Sequence, residues 1–171
     1  MKINISPECS RDEVFVELEN FLSKNNFRII KKDDERPWGG FFVIDEDQAE
    51  KFVEYFFPSE DKQAILSKNK LSPKILIVEP GKRLSWQFHY RRAELWKVIA
   101  ATVGIVKSNN DEESELAEYE LGSIIKLQQG ERHRLIGLDN WGVVAEMWQH
   151  TNADEPSNED DIVRLQDDFG R

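Results

Sequence analysis

From Lys74 onward, short strand-like runs recur at close intervals, over 74–79, 83–90, 94–101, 103–108, 115–119, 123–127, 132–136 and 142–149. Turn-forming residues separate them at Pro80-Gly81, Ser108-Asn109-Asn110-Asp111, Leu121-Gly122, Gln129-Gly130 and Asp139-Asn140. Many short strands joined by polar turns make a sandwich or a barrel.

The residues before Lys74 read differently. Ser10-Arg11-Asp12-Glu13 is a capping box, and Val14, Val16, Leu18, Phe21 and Leu22 follow at mainly helical spacing, so a helix is expected over 11–24. A short strand is expected over 27–32, an exposed turn at Asp33-Asp34-Glu35, and a second strand over 41–45 after the break at Arg36-Pro37-Trp38-Gly39-Gly40. Residues 45–57 return to helical spacing until Pro58 stops them, and Ala64-Ile65-Leu66 makes another helical turn. The acidic 154–168 region carries Ile162, Val163 and Leu165, which suits a segment that docks.

At 171 residues the chain fits one domain with a full core, for which ten Phe, five Trp and three Tyr supply bulk. A formal charge of −10 argues against a nucleic-acid partner. With a single cysteine, Cys9, no internal disulfide forms, and no apolar run approaches membrane-spanning length. A cytoplasmic protein with a small-molecule task is the expectation.

The chemistry concentrates in 81–96. Gln87 and His89 leave one face of a strand, while Trp86, Phe88 and Tyr90 leave the other. After a turn through Tyr90–Ala93, the residues Glu94, Trp96 and Val98 share a face, and Glu94 swings back beside His89. His133 follows the glycine turn at Gly130 and completes a set of Gln87, His89, Glu94 and His133 suited to one divalent ion. Structural zinc sites are usually rich in thiolates, whereas mixed nitrogen and oxygen ligation is typical of catalytic ones. Zinc is the first choice, with manganese, iron or nickel as alternatives. The five tryptophans suit the core better than a sugar ring, His150 suits a strand end better than a fifth ligand, and Cys9 reads as a plain thiol.

Gly81, His89 and Glu94 stand in the pattern of the first cupin motif, with Gln87 in place of its first histidine and Ala101 in place of its closing glycine. Gly122, Gly130 and His133 resemble the second motif, with Gln128 and Gly137 where proline and asparagine are usual. Arg36-Pro37-Trp38-Gly39, the stretch from Pro80 to Trp96, Glu131-Arg132-His133-Arg134-Leu135, Glu159-Asp160-Asp161-Ile162-Val163-Arg164 and Phe169-Gly170-Arg171 are together similar to the type II mannose-6-phosphate isomerase cupin. That domain also ends bifunctional mannose-1-phosphate guanylyltransferases.

The resemblance implies a mainly β cupin, a jelly-roll barrel, over 36–171, with a helical insert at 46–72 and residues 1–35 as an N-terminal extension packed on the barrel. It implies a metal-dependent isomerase that interconverts mannose 6-phosphate and fructose 6-phosphate through an enediolate. Gln87 belongs to the metal set expected in this family. Glu146 is the candidate base, because it shares parity with Val144, Trp148 and His150 on the last long strand. Arg92 is the first candidate for catalysis and for the phosphate, followed by Arg164 and Arg171, then Arg91, Lys97 and Arg134. Tyr90, Arg91 and Leu95 stand where the family often has histidine, and Asp168 and Phe169 where it has arginine and tyrosine. These departures favour an alternative, a non-catalytic cupin that binds a sugar or sugar phosphate. Cupins commonly pair, so a homodimer is expected.

Overall fold

The computed structural model describes residues 3–68 and 70–171. Helix α1 (Arg11–Lys24) starts at the expected capping box: the Ser10 side chain accepts the Glu13 N–H, and Glu13 Oε2 accepts the Ser10 N–H at 2.7 Å. Its buried stripe is Val14, Phe15, Leu18, Phe21 and Leu22. Strands β1 (Ile29–Arg36) and β2 (Gly39–Ile44) form a hairpin around Pro37-Trp38. A 3-10 turn (Glu46–Gln48), α2 (Ala49–Phe56) and α3 (Lys62–Leu66) follow.

The remaining strands are β3 (Lys74–Val78), β4 (Trp86–Phe88), β5 (Arg92–Ala100), β6 (Val103–Ser108), β7 (Ala117–Tyr119), β8 (Ile124–Leu127), β9 (Arg132–Gly137), β10 (Gly142–His150) and β11 (Val163–Gln166). They build two sheets of antiparallel pairs. The larger runs β1-β2-β3-β10-β5-β8 and the smaller β11-β4-β9-β6-β7.

The acidic triplet Asp33-Asp34-Glu35 lies within β1 and not in a turn, a correction to the sequence reading. β1 is an edge strand, so its side chains reach water and charge is tolerated there. The turn falls instead at Pro37, which cannot donate to a ladder. The regular part of the expected 83–90 strand shrinks to three residues, with Arg83 bridging Ile136 separately.

Two apolar cores flank the larger sheet. On its outer side Phe42, Ile75, Val143, Ala145 and Met147 pack against α1 and α2, with the Phe15 and Phe42 rings 5.3 Å apart edge to face. This places the N-terminal helix as the lid of an otherwise exposed sheet face. On the inner side Leu76, Val78, Trp96, Val98, Val144, Ile105 and Leu135 fill the space between the sheets. Among the described residues no helix is long and apolar enough to cross a membrane.

Ala101, at the tight turn between β5 and β6, has φ +57°, in the left-handed region where a Cβ is unfavourable. Ala101→Gly is therefore expected to stabilise the protein by about 0.5–1 kcal/mol in urea denaturation, without changing the slope of the transition.

Candidate metal and sugar-phosphate site

Strand alternation and the pairing of β5 with β10 position the site. Arg92, Glu94, Trp96 and Val98 alternate along β5 and turn inward, as do Val144, Glu146 and Trp148 on β10. Register sets Trp148 opposite Glu94 and Glu146 opposite Trp96. In the facing sheet, Gln87 on β4 lies opposite His133 on β9.

His89, Glu94 and His133 converge, with ligand atoms all within 4.8 Å of one another. His89 Nε2 is 3.1 Å from Glu94 Oε1, and His133 Nε2 is 3.4 Å from Glu94 Oε2. Donors about 2.1 Å from one ion sit roughly 3.0–3.4 Å apart in octahedral or tetrahedral geometry, so these separations fit. Both rings are held with Nε2 toward the cluster. His89 Nδ1 meets the Asp161 carbonyl at 2.6 Å and His133 Nδ1 meets the Glu131 carbonyl at 2.9 Å. A carbonyl only accepts, so Nδ1 carries a proton in each and Nε2 of a neutral ring presents its lone pair, as metal-bound histidines do.

Glu94 Oε2 and His133 Nε2 are buried without a hydrogen-bond partner. Two lone pairs facing each other away from water require a positive charge between them. A proton on His133 supplies it in the metal-free protein: burial opposes that proton, but Glu94 outweighs it and raises the histidine's affinity. A metal ion supplies it equally. His89 is pushed the other way, mainly by burial. Glu94 stays well below the usual carboxylate range because His89 and Arg92 outweigh the cost of its burial. The cluster can therefore hold one metal ion.

Gln87 lines the adjoining cavity, and its Oε1 accepts from the Ser85 hydroxyl. Glu146 lines the same cavity and accepts the indole N–H groups of Trp96 and Trp148 at 3.0 and 3.1 Å. Burial, with Glu94 adding to it, pushes the Glu146 carboxyl up to about 7. Arg92 is buried inside this site with every nitrogen committed. It donates to Glu94 Oε1, Ser157 Oγ and the Asn158 carbonyl at 2.8, 2.9 and 3.1 Å, and its Nη2 lies 3.2 Å from His89 Nε2. Its guanidinium also stacks 3.8 Å from the centre of the Trp148 ring. These bonds hold the ligand residues in place and occupy four of the five Arg92 N–H groups.

Two other expected phosphate contacts lie elsewhere, a correction to the sequence reading. Lys97 is offset by one from Trp96, so it leaves the opposite face of β5 and borders a separate groove beside Ala101 and Leu121. Arg134, offset by one from His133, is fully buried and bonds to the Leu84 carbonyl, Glu113 and Gln166. Arg91 pairs with Asp161 at 3.8 Å. Arg164 and Arg171 do line the cavity. His150 accepts the Ser157 N–H and stands outside the cluster.

Sequence reasoning did not assign a role to Lys74, a buried lysine at the head of β3 that pairs with Glu159 at 2.7 Å and lies 4.2 Å from the Trp148 ring centre. Its signal was present: a lone charge opening the apolar run Ile75–Val78 needs a buried partner. Nor did it find the strap of Ser157 and Asp161. Asp161 accepts the Tyr90 and Arg91 N–H groups and the Ser157 hydroxyl, and so clamps the segment after His89.

Two antiparallel sheets closing on a buried His–Glu–His cluster define the cupin class. Solved structures agree on the fold. An oxalate decarboxylase is 16% identical at a TM-score of 0.54, over 81% of this chain and 31% of that one. The capsular polysaccharide assembling protein CapF of Staphylococcus aureus is 14% identical at 0.53, over 91% and 37%.

Within that class, the chain belongs to the mannose-6-phosphate isomerase C-terminal family, whose model matches residues 45–167. It is 30% identical over 136 residues to the xanthan biosynthesis protein XanB of Xanthomonas campestris pv. campestris, covering 80% of this chain and 23% of that protein. It is 29% identical over 150 residues to a mannose-1-phosphate guanylyltransferase of Salmonella montevideo, covering 88% and 26%. The chain thus spans about a quarter of the length of these relatives.

The strap can be tested by titration. Burial raises the Asp161 carboxyl, but the bonds from Ser157, Tyr90 and Arg91 outweigh it and hold the group below its ordinary value. A depressed carboxyl contributes stability above its unfolded value and loses it as pH falls through the folded one. Asp161→Asn is expected to cost about 1–3 kcal/mol at pH 7, a gap to the unmodified protein that closes in acid below the folded value, as followed by denaturation across pH.

Proposed function

We propose that the protein is a metal-dependent isomerase of sugar phosphates, interconverting mannose 6-phosphate and fructose 6-phosphate. The observation that supports it most is a buried carboxyl, Glu146, in one cavity with a His–Glu–His cluster. In this reading Gln87, His89, Glu94 and His133 hold one divalent ion, zinc first. When bound, the ion would supply Lewis acidity against the negative charge that develops on the substrate oxygens.

The chain's own residues do the rest. Glu146, oriented by Trp96 and Trp148, takes the proton from C2 of the open-chain aldose. The released electron pair forms the C1–C2 double bond, and charge moves to O1 to give an enediolate. A proton passes from O2 to O1, and Glu146 returns its proton to C1. No oxidant or reductant is consumed. Arg92 acts through others, holding Glu94 and the 157–158 strap in position.

A non-catalytic sugar-phosphate binder is the second reading. The feature that favours it is Arg92 Nη2 beside His89 Nε2, which leaves the metal-free cluster already supplied with positive charge.

Purified protein with zinc or manganese is expected to convert mannose 6-phosphate to fructose 6-phosphate. Turnover no higher than that of a Gln87→Ala, His133→Ala control would leave only the binder. Glu146→Gln is expected to lower kcat by about 10²–10⁴-fold with metal content unchanged. Because the base must be ionised, the kcat of the unmodified enzyme falls as pH drops through the Glu146 value of the metal-loaded protein, which a cation on Glu94 lowers from the metal-free one, and Glu146→Gln lacks that limb.

A further inference from the structure

The two halves of the His–Glu–His cluster are not equivalent. In one half Arg92 spans Glu94 and His89: its Nε–H donates to Glu94 Oε1 at 2.8 Å, and its Nη2 lies 3.2 Å from His89 Nε2. These two acceptors are themselves 3.1 Å apart, so the guanidinium fork supplies the positive charge that they need away from water. In the other half Glu94 Oε2 and His133 Nε2 stand 3.4 Å apart, both without a hydrogen-bond partner. An arginine thus fills half of a cation site and leaves the other half open.

The contact with His89 excludes a metal ion from that nitrogen. A neutral imidazole has one in-plane lone pair, and because Nδ1 donates to the Asp161 carbonyl, that lone pair is on Nε2. It can accept the Arg92 N–H or bind a cation, but not both. Glu94 is not limited in this way, since a carboxylate has about four lone-pair sites and can keep the Arg92 Nε–H while it holds an ion. The rest of Arg92 stays anchored when His89 is given up. Nη1 still donates to Ser157 Oγ and the Asn158 carbonyl at 2.9 and 3.1 Å, and the Trp148 ring, 3.8 Å away, attracts the guanidinium charge whichever N–H faces His89. Arg92 also lines the cavity beside Gln87 and Glu146, so a released Nη2 has polar space to turn into.

We propose that Arg92 is an internal competitor for the metal ion: its Nη2 occupies His89 Nε2 in the metal-free protein and is displaced when an ion binds, so that this residue sets the metal affinity. The displaced Nη2 then offers both of its N–H groups to the cavity. By linkage, a ligand that accepts them binds more tightly to the loaded protein, and the ion binds more tightly in its presence. The proposal rests on the cluster holding one metal ion and not on the isomerase activity.

Calorimetric titration of manganese into chelator-stripped protein tests it, because a supporting and a competing residue move the affinity in opposite directions. Were Arg92 only a support for Glu94 and the strap, its removal would weaken manganese binding. As a competitor and a like charge it does the reverse: Arg92→Gln is expected to bind manganese about 10-fold more tightly or better. Arg92→Lys, which keeps the charge but not the fork, should fall between Arg92→Gln and the unmodified protein. Unchanged or weaker binding by folded Arg92→Gln would overturn the proposal. A second readout needs no substitution and decides the matter where Arg92→Gln does not fold. In NMR of nitrogen-labelled protein, zinc is expected to shift the Arg92 Nη2 resonance and speed the exchange of its protons with water, while the Nη1 protons stay protected. Zinc bound with Nη2 still protected overturns the competition and leaves the metal site standing. Failure of both metals to bind removes the metal site and the competition together.

Discussion

The antiparallel pairing of β5 with β10 is the constraint that the site cannot do without. It puts Glu94 beside Trp148 and Trp96 beside Glu146 at the middle of a sheet that is covered on both faces. Burial at that depth is what separates the two carboxyls. Glu94 meets His89, His133 and Arg92 and stays ionised, whereas Glu146 meets two indole N–H groups and the charge of Glu94 and holds its proton up to about 7. The cavity thus holds two carboxyls set apart by their surroundings, one ionised and one with a raised affinity for its proton. A one-residue slip of β10 would turn Glu146 and Trp148 outward and place Met147 inside.

Side chains beyond the cluster give it its rigidity. The 157–161 strap supplies the carbonyl that fixes the His89 ring, the hydroxyl that holds Arg92 and the carboxylate that clamps Tyr90 and Arg91. Trp148 connects these groups to the mouth: its N–H orients Glu146, while Arg92 and Lys74 both lie against its ring. The outer helices serve the site indirectly, by covering the far side of the same sheet with Phe15, Leu18 and Phe52. Buried polar groups organised this way keep a defined geometry only while each has its partner. Glu94 Oε2 and His133 Nε2, 3.4 Å apart, therefore keep their geometry only with a proton or a metal ion between them.

Much of this was legible in the chain because strand parity is a strict rule. Gln87 and His89 two apart, Glu94 after a turn and His133 after a glycine made the set conceivable, and the cupin resemblance singled it out; the structure brings His89, Glu94 and His133 together and sets Gln87 on the adjoining wall. Glu146 followed from its parity with Val144 and Trp148. The same rule, applied consistently, would have turned Lys97 and Arg134 away, since each neighbours an inward residue. What the chain did not disclose depends on which strands become neighbours. Lys74 reaches the Trp148 ring because β3 lies against β10. The acidic triplet in β1 was misread as a turn for a related reason: an edge strand tolerates charge that a central strand excludes.

The central claim is that one cation belongs between His89, Glu94 and His133. A crystal grown with manganese and read at the manganese absorption edge tests it most directly. The account predicts a single anomalous peak about 2.0–2.3 Å from His89 Nε2, His133 Nε2 and a Glu94 oxygen, with Gln87 turned toward it. A map with no peak at that point, the Arg92 guanidinium still against His89 Nε2 and manganese bound only elsewhere, would contradict it.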